Sequence, residues 1–298
     1  MVILVTGATG NVGSQLVQNL LAQGSPFVAG VHSTSKRSSI LPENTPKVQV
    51  DYEKPQTLNA AFEDIDRLFL LTPLAPEQVD MTKAIVDAAK THNVKQIVKL
   101  SFAGAKSENL SVAGKLHKEA EQYIEESGIP WMFLRPTSFM QNYLNRHAQT
   151  IRTQGKFFLA EGHGKVNYVD ARDIAATAAA VLSRPISQNQ IHYLTGPKPL
   201  TGHEVAEILT ETLNKPVEYM PVTEQIAREN MQKAGLTEWM VNVFLELSRE
   251  HRDNNQDFTS ESVRQLTGKE PTNFRQFVGD FKEKFTEAPT QSQMPTTA

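Results

Sequence analysis

The chain opens with Met1-Val-Ile-Leu-Val-Thr6-Gly7-Ala-Thr9-Gly10-Asn11-Val12-Gly13, an apolar run that leads directly into three regularly spaced glycines. Residues 2 to 5 are β-branched or leucine, which is typical of a strand covered on both faces of a sheet. From Val12 onward, apolar residues recur at helical spacing until Gly24 closes the segment. The stretch therefore predicts a buried strand, a tight glycine turn and a helix.

The glycine turn indicates a phosphate site. Glycine lets an anion approach backbone N–H groups closely, and these groups point outward at the positive end of the helix that follows. We therefore expect a dinucleotide that is held through its pyrophosphate. The spacing is G-x-x-G-x-x-G, which differs from the common G-x-G-x-x-G fingerprint. An ordinary strand-to-helix turn is the alternative, and the alternating pattern downstream argues against it.

Composition excludes several classes of protein. The 298 residues are 39% hydrophobic and 21% charged, and the net charge of -3 comes without the clustered Lys and Arg of a nucleic-acid-binding surface. The absence of cysteine excludes disulfides, thiol catalysis and thiolate metal sites. No apolar run approaches membrane-spanning length, and the first strand starts too early to leave room for a signal peptide. We expect a cytoplasmic protein that binds neither nucleic acid nor a membrane.

Predicted strands and helices alternate along the first half of the chain. They cover residues 26–31, 48–50, 55–63, 67–71, 76–91, 96–100, 113–126 and 131–136. Such alternation predicts a parallel sheet whose ligands lie beyond the carboxyl ends of the strands. The residues expected along that edge are Gly7, His32, Asp51, Thr72 and Ser101.

The predicted fold is α/β: a Rossmann-type, doubly wound parallel sheet with helices on both faces and a smaller α/β carboxyl-terminal lobe. Residues 1–155 would form the nucleotide-binding lobe, with strands returning from about 165–195. Residues 156–286 would form mainly the substrate-binding lobe. A helix is expected over residues 138–153, and residues 287–298 lack apolar periodicity and are expected to be disordered.

The end of the second predicted strand bears on the choice of cofactor. An acidic residue there binds the ribose 2′-hydroxyl of NAD, whereas a basic one accommodates the 2′-phosphate of NADP. No Asp or Glu occurs between the glycines and Glu43, and the strand runs into His32-Ser-Thr-Ser-Lys36-Arg37. This favours NADP(H) over NAD(H), although a solvated basic loop would have the same composition.

Several further segments carry a family resemblance. They are Asp51 to Phe62, which ends Leu-Asn-Ala-Ala-Phe; Arg67-Leu-Phe-Leu-Leu-Thr-Pro73; Ser127-Gly-Ile-Pro130; Leu134-Arg-Pro136; and Phe139-Met-Gln-Asn142. Together with the opening glycine motif, they make the chain resemble the NmrA-like branch of the atypical short-chain dehydrogenases/reductases, to about residue 285. Within that branch, His117-Lys-Glu-Ala-Glu121 is similar to the His-x-x-x-Glu pattern of NADPH-dependent quinone reductases and triphenylmethane dye reductases.

The resemblance implies a Rossmann lobe that binds NADP(H) and a small carboxyl-terminal substrate lobe. The chain departs from the family pattern in two ways. His32 stands where many relatives have an arginine that contacts the 2′-phosphate, which leaves that contact to neighbours such as Lys36 and Arg37. The chain also contains no Tyr-x-x-x-Lys, the acid pair of ordinary short-chain dehydrogenases.

The missing acid pair limits the kinds of substrate that the protein could reduce. Hydride addition to an isolated carbonyl builds a basic alkoxide that needs a positioned acid. Hydride addition to a quinone or a conjugated cationic dye leaves a delocalised anion or a neutral product, which needs little acid help. We therefore predict an NADPH-dependent oxidoreductase of quinones, dyes, azo compounds or similar conjugated acceptors. The missing pair also favours the alternative, a non-catalytic NADP(H)-sensing regulator that binds a partner protein; an epimerase would normally keep the tyrosine.

His117 is the predicted proton donor, because the usual histidine pKa of about 6.5 lies close to cytoplasmic pH. Glu121 is four residues further on the same predicted helix face and would hold the imidazole. A partly buried, packing histidine is the competing interpretation of His117. For Glu121 the competing interpretation is a surface ion pair.

The predicted site residues fall into three groups. Cofactor contacts are assigned to Thr6, Gly7, Thr9, Gly10, Asn11, Val12, Gly13, His32, Lys36, Arg37, Asp51, Tyr52, Leu71, Thr72, Pro73, Ser101 and Phe102. The catalytic candidates are His117, Glu121 and Ser101, and the expected substrate wall is Phe139, Met140 and Asn142, with core packing as the alternative for Phe139 and Met140. Histidine spacing suggests no metal, and we expect no flavin, a small-molecule conjugated acceptor as partner, and an assembly compatible with a homodimer.

Overall fold

The computed structural model describes residues 1–34, 40–106, 110–186 and 189–287. These residues form two compact units. Unit 1 comprises Met1–Thr137, Ala171–Thr195 and Ser260–Glu270. Unit 2 comprises Ser138–Asp170, Gly196–Thr259 and the described residues from Pro271 onward.

Strands and helices are numbered in chain order. The strands are β1 (Ile3–Val5), β2 (Phe27–Val31), β3 (Lys47–Gln49), β4 (Arg67–Leu70), β5 (Gln96–Leu100), β6 (Trp131–Pro136), β7 (Lys156–Leu159), β8 (Lys165–Val166), β9 (Gln190–Leu194), β10 (Leu200–Thr201) and β11 (Glu218–Pro221). The α-helices are α1 (Asn11–Ala22), α2 (Pro55–Ala61), α3 (Gln78–Thr91), α4 (Val112–Glu126), α5 (Ala148–Gln154), α6 (Ala171–Leu182), α7 (Gly202–Leu213), α8 (Glu224–Lys233), α9 (Glu238–Arg252), α10 (Ser262–Thr267), α11 (Phe274–Asp280) and α12 (Lys282–Thr286). A 3-10 turn covers Ala103–Lys106, and a π-helical turn covers Tyr143–His147.

Unit 1 is built around a 7-stranded sheet with the order β3-β2-β1-β4-β5-β6-β9. Every pair of neighbouring strands is parallel. The first six strands have the order of doubly wound dinucleotide-binding folds, so the predicted Rossmann fold is confirmed. In such sheets the ligand crevice lies at the carboxyl ends of the strands where the order reverses, which here means β1 and β4.

Helices cover both faces of the sheet, which is why its central strands are apolar. Helix α6 packs against α1 and α10, while α3 packs against α2 and α4. All residues of β1, β4 and β5 are buried. The core beneath α2, α3 and α4 includes Leu68, Ile97 and Phe133.

Unit 2 combines two small sheets with an aromatic core. Strand β8 pairs antiparallel with β10, and β7 pairs parallel with β11. The ring of Tyr143 packs edge-on against the rings of Phe157, Tyr168 and Phe274, with centroid distances of 5.0 to 5.5 Å. These contacts between large aromatic groups stabilise the centre of the unit.

The prediction and the structure differ mainly between residues 138 and 160. The pattern predicts one helix over residues 138–153, whereas the structure has the π-helical turn followed by α5. Residues 138–155, placed in the first lobe from the sequence, belong to unit 2 because Tyr143 and Ile151 are part of its apolar core. Strand β7 was not predicted, since its partner β11 lies much later in the chain. In unit 1, the observed strands and helices up to β9 differ from the predicted ones by one or two residues at their ends. Helix α10 also belongs to unit 1, although its residues lie in the stretch assigned mainly to the substrate-binding lobe.

Two kinds of feature are not found in the described ranges. None of the helices there is long and apolar enough to cross a membrane. Nor do the same residues contain a group of three acidic or histidine side chains placed to hold a metal ion. Residues 288–298, most of the predicted tail, lie outside the described residues.

Candidate functional site

The turn between β1 and α1 depends on close backbone contacts that only glycine permits. Gly7 has a φ of +62°, and a Cβ there would lie 2.7 Å from Leu71 Cδ2. A Cβ on Gly13 would lie 2.1 Å from the carbonyl oxygen of Gly7. The N–H of Gly10 donates a hydrogen bond to the same carbonyl at 3.0 Å. The three glycines therefore form one compact turn that holds the start of α1 against the end of β1.

The N-terminus of α1 is suited to an anion. The helix begins after Gly10, no side chain in the described part of the molecule caps it, and its first turn contains no acidic residue. Thr9, Gly10 and Asn11 are exposed, whereas Val12 and Gly13 are buried. The first N–H groups of a helix lack partners within the helix and carry partial positive charge. This geometry fits the diphosphate of a dinucleotide.

Thr6 links the ends of β1 and β4 beneath the turn. Its side chain is fully buried, and its hydroxyl accepts a hydrogen bond from the Leu71 N–H at 2.8 Å. Thr72, which follows, is buried, and its hydroxyl lies 3.3 Å from Gln78 Nε2. Pro73 is exposed. The structure thus brings Leu71 and Thr72 to the glycine turn, while the Thr6 side chain is engaged in holding the two strand ends together.

The end of β2 presents His32 to solvent. Its side chain is exposed, and its carbonyl oxygen accepts a hydrogen bond from Gln49 Nε2 at 3.1 Å. Lys36 and Arg37, the other residues assigned to the 2′-phosphate, lie outside the described residues.

Asp51 and Tyr52 follow β3, and both are held by neighbouring side chains. The Lys54 ammonium donates to Asp51 Oδ2 at 2.7 Å and holds the pKa of that carboxyl below its usual range. Tyr52 is half-buried against the core of unit 1, and burial raises its pKa to about 12. Asp51 thus accepts hydrogen bonds within the local turn, from Lys54 and from the Glu53 N–H, whereas Tyr52 packs against the core beneath α2.

A group of charged and polar side chains lies between α4 and the carboxyl ends of β5 and β6; we term it the Lys99 cluster. Its members are Lys99, His117, Glu121, Arg135 and Tyr193. Lys99 Nζ lies 3.2 Å from the carbonyl oxygen of the next residue and 3.4 Å from His117 Nδ1. Arg135 donates to both oxygens of Glu121, at 2.9 and 2.5 Å, and to the Tyr193 hydroxyl at 2.9 Å.

The predicted contact between Glu121 and His117 is wrong. Both carboxylate oxygens of Glu121 accept hydrogen bonds from Arg135, which reaches them from the neighbouring strand. A guanidinium fork matches a carboxylate better than an imidazole one helical turn away. The alternative of a surface ion pair is also wrong, because Glu121 is only 3% exposed.

The Lys99 cluster keeps His117 neutral. Burial, followed by the positive charges of Lys99 and Arg135, holds the pKa of His117 well below 6.5. The expectation that its own pKa makes His117 the acid at neutral pH is therefore wrong. Burial also lowers the pKa of Lys99 from its usual 10.5 to about 8, so Lys99 is the member of this pair that carries the proton at pH 7.

Lys99 is the residue that the sequence analysis missed. Its side chain is completely buried, and a fall in pKa from 10.5 to about 8 corresponds to roughly 3 kcal/mol. Buried groups with perturbed pKa values concentrate at functional sites. The sequence did contain an indication of this residue, because Lys99 interrupts a largely apolar strand that is covered on both faces. Lysine is rarely fully buried unless it is paired or has a role.

Ser101 and Phe102 follow β5 at the same edge of the sheet. Ser101 Oγ is buried and has no hydrogen-bond partner among the described residues. An unsatisfied buried hydroxyl has bonding capacity that a ligand can use. The Phe102 ring lies 6.1 Å from the His117 ring, and a Cβ on Gly104 would lie 2.2 Å from a Phe102 ring carbon. The structure thus brings Phe102 and His117 together, with Ser101 next to Phe102 in the chain.

Met140 lines a cavity of about 420 Å³ in unit 2. The cavity is also bounded by Tyr168 and Phe274 and by the cations Lys198 and Arg275. Met140 is only 1% exposed and belongs to the core, so the packing interpretation describes it as well. Phe139 and Asn142, the other residues of the predicted substrate wall, are half-buried and are not among the lining residues.

Replacing Lys99 by Met is expected to stabilise the protein at pH 7.5 by about 2–3 kcal/mol, because the buried ammonium is costly. Between about pH 8 and 10.5 the unfolded chain binds more protons than the native one, so the wild type gains stability as pH rises. The advantage of Lys99→Met should therefore shrink below about 1 kcal/mol at pH 10. Urea unfolding at both pH values measures the difference in free energy of unfolding between variant and wild type. Lys90→Met, at an exposed lysine, is the control. An advantage that does not change with pH would contradict the assignment.

Comparison with known proteins agrees with this geometry. The sequence profile of the NmrA-like family matches residues 1–278. The chain is 36% identical over 276 residues to the NAD(P)H azoreductase of Xenophilus azovorans, an alignment that covers 93% of this chain and 96% of that protein.

Two solved structures share the fold over nearly the full length. Triphenylmethane reductase from Citrobacter sp., complexed with NADP(H), has a TM-score of 0.84 and 26% identity, covering 94% of this chain and 99% of that one. An NADPH-dependent quinone oxidoreductase from Escherichia coli, complexed with NADPH, has a TM-score of 0.85 and 25% identity, with the same coverage. With its profile match, its strand order and its glycine turn, the chain belongs to the NmrA-like family.

Proposed function

We propose that this protein is an NADPH-dependent oxidoreductase that transfers hydride to a quinone, a dye, an azo compound or a similar conjugated acceptor. The observation that carries the proposal is the glycine turn, where the Gly7 carbonyl lies against Gly13 and a helix begins that no described side chain caps. Support also comes from three similar proteins, which are named an azoreductase, a triphenylmethane reductase and a quinone oxidoreductase.

The cofactor would be held at the carboxyl edge of the parallel sheet. Backbone N–H groups from Asn11 to Gly13 are the proposed ligands of the diphosphate, and Ser101 Oγ offers a hydroxyl with no other partner in the described chain. When bound, the dihydronicotinamide supplies the hydride. The lack of any acidic residue between the glycines and Glu43 supports NADP(H) over NAD(H), with Lys36 and Arg37 as the proposed cations for the 2′-phosphate.

Lys99 and His117 are the proposed source of any proton that the product requires. At pH 7 Lys99 carries the proton, and neutral His117 accepts at Nδ1 and donates from Nε2. This relay passes a proton from a buried ammonium without requiring His117 to be charged beforehand. Arg135 and Glu121 neutralise one another beside it, so the lysine remains the unpaired cation within the Lys99 cluster.

The class of acceptor is inferred from how effectively the site can act as a general acid. A conjugated acceptor spreads the charge that hydride delivery creates, so a weak relay is sufficient. A simple ketone would build an alkoxide beside a site that has no Tyr-x-x-x-Lys. A regulator that senses NADP(H) would instead bind the cofactor without turnover, and a panel of quinones, azo dyes and cationic dyes separates the two functions.

Gly13→Ala should weaken NADPH binding at least about tenfold. The new Cβ would overlap the Gly7 carbonyl, so the turn and the first N–H groups of α1 must move away from their binding geometry. Fluorescence titration of NADPH gives the dissociation constant. Gly279→Ala is the matched control, because Gly279 is exposed and nothing lies within 4 Å of a Cβ there. Equal affinity of the Gly13→Ala and Gly279→Ala variants would contradict this account.

His117→Gln should separate acceptors that need a proton from those that do not. Hydride addition to an azo group leaves a basic nitrogen that must be protonated, so its kcat should fall about 100-fold. Hydride addition to a cationic triphenylmethane dye gives a neutral product, and its kcat should change less than about threefold. Stopped-flow absorbance measures both reactions.

The control for His117→Gln is His92→Gln, which removes a half-buried histidine at the end of α3 in the same unit. This variant should reduce both dyes as the wild type does. An equal loss with both dyes in His117→Gln would indicate a purely structural role for the imidazole.

A further inference from the structure

Unit 2 contains a serine, a histidine and a glutamate joined in series. Ser138 Oγ lies 2.8 Å from His251 Nε2, and His251 Nδ1 lies 2.7 Å from Glu161 Oε1. Ser138 follows β6, Glu161 lies between β7 and β8, and His251 is in the last turn of α9. Side chains from three distant segments thus converge in the order nucleophile, base and orienting carboxylate.

The directions of the hydrogen bonds in this group follow from the chemistry of its partners. A carboxylate accepts only, so His251 Nδ1 carries the hydrogen and Nε2 is free to accept the hydroxyl hydrogen of Ser138. His251 and Glu161 are buried, whereas Ser138 is half-buried. The second oxygen of Glu161 lies 3.4 Å from the Tyr168 hydroxyl, which donates to it. The imidazole is therefore fixed in the tautomer that activates a serine.

A fourth residue, Gln256, supplies an independent observation. Its Oε1 accepts a hydrogen bond from the Ser138 N–H at 2.9 Å, which fixes the orientation of the amide. Its Nε2 is buried and has no hydrogen-bond partner in the described chain, and the residue is only 1% exposed. A buried side-chain amide donor without a partner, belonging to a group bonded to the serine, is the kind of donor that stabilises an oxyanion.

We propose that Ser138, His251 and Glu161 form a second catalytic site, which hydrolyses carboxylic esters with small acyl groups by way of an acyl-serine. The proposed reductase mechanism assigns these residues no role, and ester hydrolysis would not depend on the cofactor. Small acyl groups are inferred because the nucleophile is only half exposed.

The reaction needs only water as co-reactant. Ser138 Oγ bonds to the ester carbonyl carbon while its proton passes to His251 Nε2, and Gln256 Nε2 donates to the carbonyl oxygen. The bond to the alcohol then breaks, and the alcohol leaves with the proton from His251. Water attacks the acyl group, gives its proton to His251, and the carboxylic acid departs as the serine regains its hydrogen. No group is oxidised or reduced.

The test is covalent labelling of the full-length protein with a fluorophosphonate, which reacts with activated serines. Mass spectrometry of the digested protein should find the label on Ser138 of the wild type. His251→Ala should label at least about 100-fold more slowly. Ser248→Ala removes a half-buried serine from α9, one turn before His251, and should label as the wild type does.

Hydrolysis of p-nitrophenyl acetate without NADPH gives the second readout. The wild type and Ser248→Ala should hydrolyse the ester, and Ser138→Ala should lose at least about 100-fold of that rate. Thermal unfolding of each variant verifies folding, and labelling of the wild type needs no variant at all. An unlabelled Ser138 in the folded wild type overturns the proposal, as does labelling that is equally fast in folded His251→Ala.

Discussion

The carbonyl oxygen of Gly7 lies so close to the backbone of Gly13 that a single added methyl group would overlap it. This contact sets how α1 leaves β1, because the helix can approach the strand end only where neither residue has a side chain. The consequence is a helix terminus, capped by no side chain of the described ranges, at the point where the strand order reverses. Thr6 also joins the ends of β1 and β4, because its hydroxyl accepts a hydrogen bond from the Leu71 N–H.

The Lys99 cluster buries more positive than negative side chains, which the packing of a core does not require. Two cations, Lys99 and Arg135, lie near one carboxylate, Glu121, and the carboxylate is committed to the arginine. Burial lowers the pKa of Lys99 to about 8, and it holds the pKa of the neighbouring His117 well below 6.5, so the imidazole stays neutral. An apolar residue at position 99 would avoid this cost. An ammonium that is buried near the carboxyl edge of the sheet, 3.4 Å from His117 Nδ1, supports a role in chemistry.

The sequence predicted the fold well because each βα unit leaves a local pattern. Strand β1, the glycine turn and α1 are contiguous, so they could be predicted from one short segment that combines an apolar run, three glycines and a helical repeat. The Lys99 cluster could not, because the partner of Glu121 depends on how α4 lies over β6. The serine, histidine and glutamate of unit 2 are separated by long stretches of chain, and no spacing rule joins Ser138 to His251. The aromatic core that draws residues 138–155 into unit 2 is likewise a tertiary feature.

The central claim is that backbone amides at the glycine turn hold the diphosphate of a nicotinamide nucleotide. Titration calorimetry of the purified wild-type protein with NADPH tests it most directly. The account predicts saturable binding of one nucleotide per chain, with NADPH bound more tightly than NADH. Absence of any binding heat or saturation with either nucleotide, in a protein shown to be folded, would contradict it.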